Sequence, residues 1–239
     1  MFFKISPVNV GILVIIFIVS MMIFIFAPSR KNYYSSDIFP IIKYINDNNK
    51  DIINNDLEII KKDNDWLRWP DSNNVVKDYL VYPIFMFGNF SEKRKLKCKK
   101  SVDLINNIPG VKTFAYLKIS EKACIKKNKK WKDISNNTLC CIFVIEAPYV
   151  NKKEDCCIWT DGETKRLIKK KLIIYDSSKE HSIINNSDYP VYILMLDIKK
   201  PINYTFGISD TPYNDEVHNF IKTILDENNS YHSKKNNIL

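Results

Sequence analysis

Residues 175–201 read YDSSKEHSIINNSDYPVYILMLDIKKP. A polar turn in this stretch carries Asp176 and His181, and His181 is the first of only three histidines in the chain. An apolar run at 191–196 follows the turn and is closed by Asp197. A polar turn followed by a buried strand is a common way for a β-barrel to offer one side of a metal site. The stretch therefore predicts a β-barrel and makes His181 a candidate metal ligand.

Outside this stretch, runs of apolar or β-branched residues bounded by Asn, Asp, Gly or Pro predict further strands. These predicted strands lie at 79–88, 111–119, 138–147, 156–160 and 171–175. Apolar stripes at helical spacing predict helices after Asp37, from Ser101 onward to residue 108, and after Asn214. Helices, then many short strands, then one packing helix indicate a mainly β fold with flanking helices (α+β), which is a β-barrel or jelly roll with a helical buttress.

The run 8–27, VNVGILVIIFIVSMMIFIFA, contains no charged residue. At a rise of ~1.5 Å per residue, a helix of this length crosses a hydrocarbon core of ~30 Å. The run is longer than the apolar core of a signal peptide and only a weak cleavage site follows it, so it predicts an N-terminal transmembrane signal anchor. A cleaved signal peptide is the alternative. The charges on the two sides, Lys4 against Arg30 and Lys31, leave the orientation open.

The chain is thus expected to have an anchor at 1–29, a polar linker at 30–36, one folded domain at 37–227 and a disordered polar tail at 228–239. We expect a single-pass membrane protein whose C-terminal domain is lumenal, extracellular or on a virion surface.

The chain has six cysteines, including the adjacent pairs Cys140-Cys141 and Cys156-Cys157. Neighbours on a strand point to opposite faces, so we expect one member of each pair in the core and the other free to form a disulfide. No Cys-x-x-Cys motif occurs, which disfavours a zinc site.

Four stretches resemble, in order, the aspartyl/asparaginyl β-hydroxylase family over roughly residues 60–201. They are YLVYPIFMFG at 79–88, IPGVKT at 108–113, YDSSKEH at 175–181 and DIKKP at 197–201. The resemblance implies a double-stranded β-helix fold. It also implies a hydroxylase that uses Fe(II), oxygen and 2-oxoglutarate, with the iron held by two histidines, and the animal member of the family is itself membrane-anchored.

In this resemblance the second histidine of the family falls on His181. The first falls nearest Asn128, and no histidine occurs between residues 111 and 174. The serine that the first strand contributes falls at about Leu117. The remaining cosubstrate positions, an Arg-x-His pair and a later arginine that binds a carboxylate through a bidentate fork, fall on Cys140, Ile142 and Val191.

Apolar side chains at these positions would fill the cosubstrate cavity, so we predict a pseudoenzyme with no catalytic residue, no metal and no cofactor. It would serve as a binding or structural module. The alternative is a divergent, active dioxygenase with Fe(II) and 2-oxoglutarate, in which Asp176, Glu180 or a residue of the basic loop after residue 126 joins His181. Glu180 is a poor partner, because neighbours on an extended segment project to opposite sides.

The formal net charge of +9 arises from clusters spread along the chain, and solvated loops are the ordinary interpretation of such clusters. One cluster lies at the mouth of the site in the family layout and includes Lys127, Lys129, Lys130 and Trp131, which makes it a candidate contact for an acidic glycan or an acidic protein partner. No nucleic-acid motif is found. These features fit a membrane protein of a large DNA virus that acts in attachment, entry or assembly, and this origin is a hypothesis.

Overall fold

A computed structural model of the chain describes residues 7–26, 31–38, 50–69, 75–128, 137–200 and 215–236. The helices in these ranges are α1 (Pro7–Phe26), α2 (Lys50–Lys61), α3 (Glu92–Lys97), α4 (Lys99–Asn106) and α5 (Asp215–Asn236). The strands before residue 120 are β1 (Tyr33–Tyr34), β2 (Leu67–Arg68), β3 (Val75–Val76), β4 (Tyr79–Met86), β5 (Asn89–Phe90) and β6 (Val111–Ile119). They are followed by β7 (Ala123–Asn128), β8 (Thr138–Glu146), β9 (Cys156–Thr160), β10 (Glu163–Arg166), β11 (Leu172–Tyr175), β12 (His181–Asn185) and β13 (Val191–Lys199).

Two antiparallel sheets form the domain. The larger sheet has the strand order β1-β11-β8-β13-β6-β4-β2, with β5 paired to β4, and the smaller sheet has the order β10-β9-β12-β7-β3. Strands that are distant in sequence lie side by side, as in a jelly roll of two packed sheets. The predicted jelly roll with flanking helices is therefore confirmed.

Both faces of the larger sheet are covered, which explains why its central strands are apolar without alternation. Its inner face belongs to an apolar cluster, here called the inner core, which also contains residues of the smaller sheet such as Ile158 and Ile183. Its outer face packs against Leu57 of α2 and Leu104 of α4 in a second cluster. Strands buried on both sides read as continuous apolar runs.

Both adjacent cysteine pairs are buried. Cys140 lies in the inner core and Cys141 in the outer cluster, while Cys156 and Cys157 are also buried. The expectation that one member of each pair would be free to bridge is wrong, because all four of these side chains are buried. All six cysteines are within the described residues, and none of them forms a disulfide.

Helix α1 contains no charged residue. Its side chains are described for Gly11, Ile12 and residues 14–21, and those of Ile15 and Phe17 are more than half exposed. Across the described parts of the chain, no helix is both long and apolar enough to cross a membrane.

The two ends of the domain differ from the sequence expectation. Residues 33–34, inside the expected linker, form β1 at the edge of the larger sheet, where Tyr33 pairs with Tyr175. At the other end α5 runs to Asn236, through most of the expected disordered tail. The helix is held there because the Asn228 side chain donates to the Phe90 carbonyl and accepts from the Glu92 amide.

Candidate functional site

One end of the barrel collects the residues that the sequence singles out. His181 is the first residue of β12 and pairs in backbone register with Thr160 at the end of β9 and with Asn128 at the end of β7. The turn at 176–180 joins this position to Tyr175 of the larger sheet. We call this region, with turns 161–162 and 176–180, the His181 end. The backbone of Asn128 thus lies beside that of His181.

The His181 ring is oriented by two contacts. Its Nδ1 lies 2.8 Å from the Lys179 carbonyl oxygen. A carbonyl only accepts, so Nδ1 carries the proton and a neutral ring has its lone pair on Nε2. The ring centroid lies 5.4 Å from that of Tyr175, at an interplanar angle of 58°. The histidine is therefore fixed by its own turn and by an aromatic neighbour.

The turn before His181 is built around a buried carboxylate. Asp176 Oδ1 accepts from the Ser178 backbone amide at 3.1 Å and from the Ser178 hydroxyl at 2.6 Å. Lys200 Nζ donates to the other carboxylate oxygen at 3.0 Å, and both side chains of this ion pair are at least nine-tenths buried. Asp176 is thus fully engaged in holding the turn against the end of β13.

The positions that correspond to the cosubstrate site lie in the inner core. Leu117, Cys140, Ile142 and Val191 come from three strands of the larger sheet, and each is at most 2% exposed. Phe220 of α5 belongs to the same cluster, so the C-terminal helix contributes to filling it. The space between the sheets is lined here by packed apolar side chains.

One polar group interrupts this interior near the His181 end. Burial raises the pKa of the Asp197 carboxyl to about 6, and the neighbouring Thr113 hydroxyl and Cys140 thiol offset part of the rise. Burial also raises the pKa of the Cys140 thiol well above its usual range. A protonated thiol is a poor nucleophile and a poor metal ligand.

The residues at this end do not fit Fe(II) and 2-oxoglutarate. No group of three His, Cys, Asp or Glu side chains with metal-binding geometry occurs among the described residues. Asp176, one of the two acidic candidates, is paired with Lys200. A dicarboxylate needs cationic or hydrogen-bonding partners, and the positions that would supply them are Leu117, Ile142 and Val191.

The comparison with protein families is decisive for identity. The model of the aspartyl/asparaginyl beta-hydroxylase family matches residues 47–201, which is more than half of the chain. The chain belongs to this family. Within the hydroxylase-family domain, the match covers both sheets except β1 and ends just after β13. Among curated proteins, no sequence is similar to it.

Solved structures with a related shape are distant in sequence. A prolyl hydroxylase from Trichoplax adhaerens, in complex with a hypoxia inducible factor peptide, has 10% identity and a TM-score of 0.44, and the match covers 69% of this chain and 88% of that one. A predicted oxalate decarboxylase from Thermotoga maritima has 11% identity and a TM-score of 0.38, covering 56% and 92%. A cupin domain of an XRE family transcriptional regulator from Enterobacter cloacae has 14% identity and a TM-score of 0.34, covering 52% and 98%.

The basic cluster is only partly described. Lys127 lies on β7, which extends to Asn128, so the basic cluster begins on a strand. Lys129, Lys130 and Trp131 lie outside the described residues. No sequence pattern indicated that Lys200 and Asn32 contact the turn at 176–180, because single polar residues at strand ends acquire partners only when the sheets are assembled.

Proposed function

We propose that this member of the aspartyl/asparaginyl beta-hydroxylase family is a membrane-anchored, catalytically inactive domain that serves as a binding or structural module. The observation that carries the proposal is the placement of Leu117, Cys140, Ile142 and Val191 together in the inner core, each nearly fully buried. These are the positions at which the family resemblance expects polar or charged groups.

The energetic argument concerns the carboxylates of 2-oxoglutarate. An ion moved from water into a protein interior costs several kcal/mol unless a charged or hydrogen-bonding partner compensates it. Apolar side chains supply no such partner, and they already pack at high density in the inner core. Binding of the cosubstrate would therefore require both a new cavity and new cationic or hydrogen-bond-donating groups for its carboxylates.

Binding measurements on the purified full chain test this proposal. Calorimetric titration with Fe(II) under anaerobic conditions and with 2-oxoglutarate should give no saturable binding at the His181 end. Stoichiometric Fe(II) together with micromolar affinity for 2-oxoglutarate would overturn it.

The variant His181→Ala separates inactivity from divergent activity. For an inactive module, the substitution removes the ring contact with Tyr175 and the hydrogen bond to the Lys179 carbonyl, so only stability should change. For a divergent dioxygenase, turnover must disappear. Decarboxylation of 2-oxoglutarate by the unmodified chain that is lost in His181→Ala would favour the second function.

No helix among the described residues has both the length and the apolar character of a membrane span, so the proposed anchor rests instead on the uncharged run at 8–27 and on the exposed apolar side chains of α1, including Ile15 and Phe17. A helix that is apolar on all sides is stable only when another apolar phase surrounds it. The full chain should stay with membranes after alkaline extraction, whereas the double variant Ile15→Lys and Phe17→Lys should be released. Release of the unmodified chain would refute anchoring. We place the domain on the lumenal, extracellular or virion-surface side.

An acidic glycan or acidic protein surface remains the proposed partner of the cluster with Lys127, Lys129, Lys130 and Trp131. The support is the net charge of +9 and the start of this segment at Asn128, beside His181. Heparin retention should fall with added salt and after charge reversal of the three lysines, because exposed charge interactions are screened. Retention that neither change affects would reject this partner class.

A further inference from the structure

The chain is fastened to the barrel immediately before its first strand. The Asp176 backbone amide donates to the Asn32 carbonyl at 3.1 Å, and Lys179 Nζ donates to Asn32 Oδ1 at 2.6 Å. Asn32 Nδ2 in turn donates to the Asp161 carbonyl at 3.2 Å. Asn32 thus joins turns 161–162 and 176–180, which are the two turns of the His181 end.

The next residue extends this attachment into the interior. Tyr33 is 8% exposed, and its hydroxyl lies 3.0 Å from the Ile158 carbonyl and 3.2 Å from the Glu163 carbonyl. Lys165 Nζ lies 4.3 Å from the centroid of the Tyr33 ring. The attachment therefore includes the buried ring of Tyr33 as well as hydrogen bonds. Residues 32–33, within the expected linker, are thus part of the folded domain.

The distance from α1 to this attachment is short. Helix α1 ends at Phe26, and Asn32 is six residues further along. At ~3.3–3.6 Å per residue, a fully extended chain of that length spans at most about 20 Å. Strand β13 has nine residues, so at ~3.3 Å per residue the opposite end of the barrel lies about 30 Å beyond the His181 end.

We propose that the His181 end rests against the phospholipid headgroups of the membrane that α1 enters. This inference rests on the membrane anchor proposed above and adds the orientation of the domain to it. Exposed Lys31 and Lys126 lie at this end and would meet lipid phosphates, while exposed Asp161 and Glu163 lie there too. The short segment between α1 and Asn32, more than the charge at this end, therefore sets the orientation of the domain. An anionic membrane is not required.

The orientation has a consequence for access. The position of His181 would face the bilayer, so a soluble acidic partner could reach the basic cluster beside it only from the side of the domain and not along the barrel axis. The opposite end, where Tyr149 is 89% and Tyr189 is 68% exposed, would face away from the membrane. These tyrosines follow β8 and precede β13, which are neighbouring strands.

A distance-dependent quenching experiment tests the orientation. The full chain is placed in phosphatidylcholine nanodiscs that contain lipids spin-labelled on the headgroup. A fluorophore is attached at Glu163→Cys, at the His181 end, or at Tyr189→Cys, at the opposite end. Both labelled variants also carry Cys124→Ser, so that the fluorophore reacts only at the introduced cysteine. Cys124 is the only one of the six native cysteines that is not buried. Quenching should be several-fold stronger at position 163.

The possible outcomes separate the two proposals. Incorporation into nanodiscs with equal quenching at the two positions, or stronger quenching at position 189, overturns the orientation alone. Failure to incorporate overturns the anchor and the orientation with it. The variant Asn32→Ala removes the side-chain hydrogen bonds to Lys179 and Asp161 and should reduce the difference in quenching between positions 163 and 189. Lys31→Ala, a matched change at the neighbouring residue, should leave that difference unchanged.

Discussion

The substitution Val191→Arg tests whether the inner core is a filled apolar space or a cosubstrate cavity. Val191 is 0% exposed and belongs to the inner core. Arginine there would restore the residue type that the family resemblance implies at this position. The two interpretations predict opposite results, because a cavity can accept the guanidinium and its anion whereas a packed core cannot.

The expected loss of stability has two parts, one from the larger side chain and one from its charge. Val191→Met is the control for size, and overpacking of a core costs about 1–3 kcal/mol. An arginine adds a buried charge without a partner, which costs a further ~3–5 kcal/mol. For a chain of this size each kcal/mol shifts Tm by roughly 2–4 °C, so the arginine variant should melt roughly 6–20 °C below the methionine variant.

Thermal unfolding followed by circular dichroism provides the assay, with and without 2-oxoglutarate. Under our reasoning 2-oxoglutarate leaves the Tm of Val191→Arg unchanged, since binding to the folded state alone would raise it. Equal Tm values for the arginine and methionine variants, with a rise on adding 2-oxoglutarate, would contradict a filled core.

Three further predictions concern buried polar groups. Arg94→Ala should destabilise the domain by about 2–3 kcal/mol in urea titrations, since the Arg94 side chain is only 1% exposed and forms an ion pair with Glu227 of α5 at 2.6 Å. Arg94→Lys should lose less stability, and equal stability of the unmodified chain and both variants would exclude a stabilising role for this ion pair. Burial holds the pKa of Asp197 at about 6 when folded, above its ordinary value of 3.8, so the folded state binds this proton more tightly and stability falls as pH rises from about 4 to 6. Asp197→Asn should remove that fall and stabilise the chain at pH 7 by up to ~3 kcal/mol in unfolding titrations, and an unchanged pH profile would refute it. Asp56 accepts from the backbone amide and hydroxyl of Ser101, so Asp56→Ala and Ser101→Ala should each cost ~1–3 kcal/mol and the double variant less than their sum, whereas additive losses would argue against the pairing.

Long apolar strands were predictable from the sequence because their composition matches their burial. The predicted strands at 111–119 and 156–160 coincide with β6 and β9. Pro83 lies within the predicted strand at 79–88, and the register of β4 against β6 shifts between Pro83 and Phe85. Proline cannot donate to a ladder, so its position indicated the irregularity directly.

Short polar strands were missed for the opposite reason. The residues of β10, ETKR, and of β12, HSIIN, have no extended apolar run. They become strands because β9 offers both of its edges to them. The predicted start of helix α4 was also wrong. The helix begins at Lys99 and not at Ser101, and Ser101 is buried within it against Asp56.

At the candidate site, the family resemblance predicted which residues stand side by side, and the side-chain contacts could not be predicted from the sequence. The resemblance aligned Asn128 with the missing histidine, and the structure places its backbone opposite His181. The ion pair of Asp176 with Lys200 could not be predicted, because the two residues are 24 positions apart and meet only through the path of β13.

The position of β13 has a consequence for how the protein is made. β13 is the centre of the larger sheet and pairs with β6 on one side and β8 on the other, although all other strands of that sheet precede it in the chain. During synthesis the sheet therefore exists as two halves with open edges until residue 199 has left the ribosome. Such edges pair readily with other chains, and long-range pairing is slow. Messages truncated between β12 and β13 should thus yield an aggregating fragment rather than a smaller folded domain.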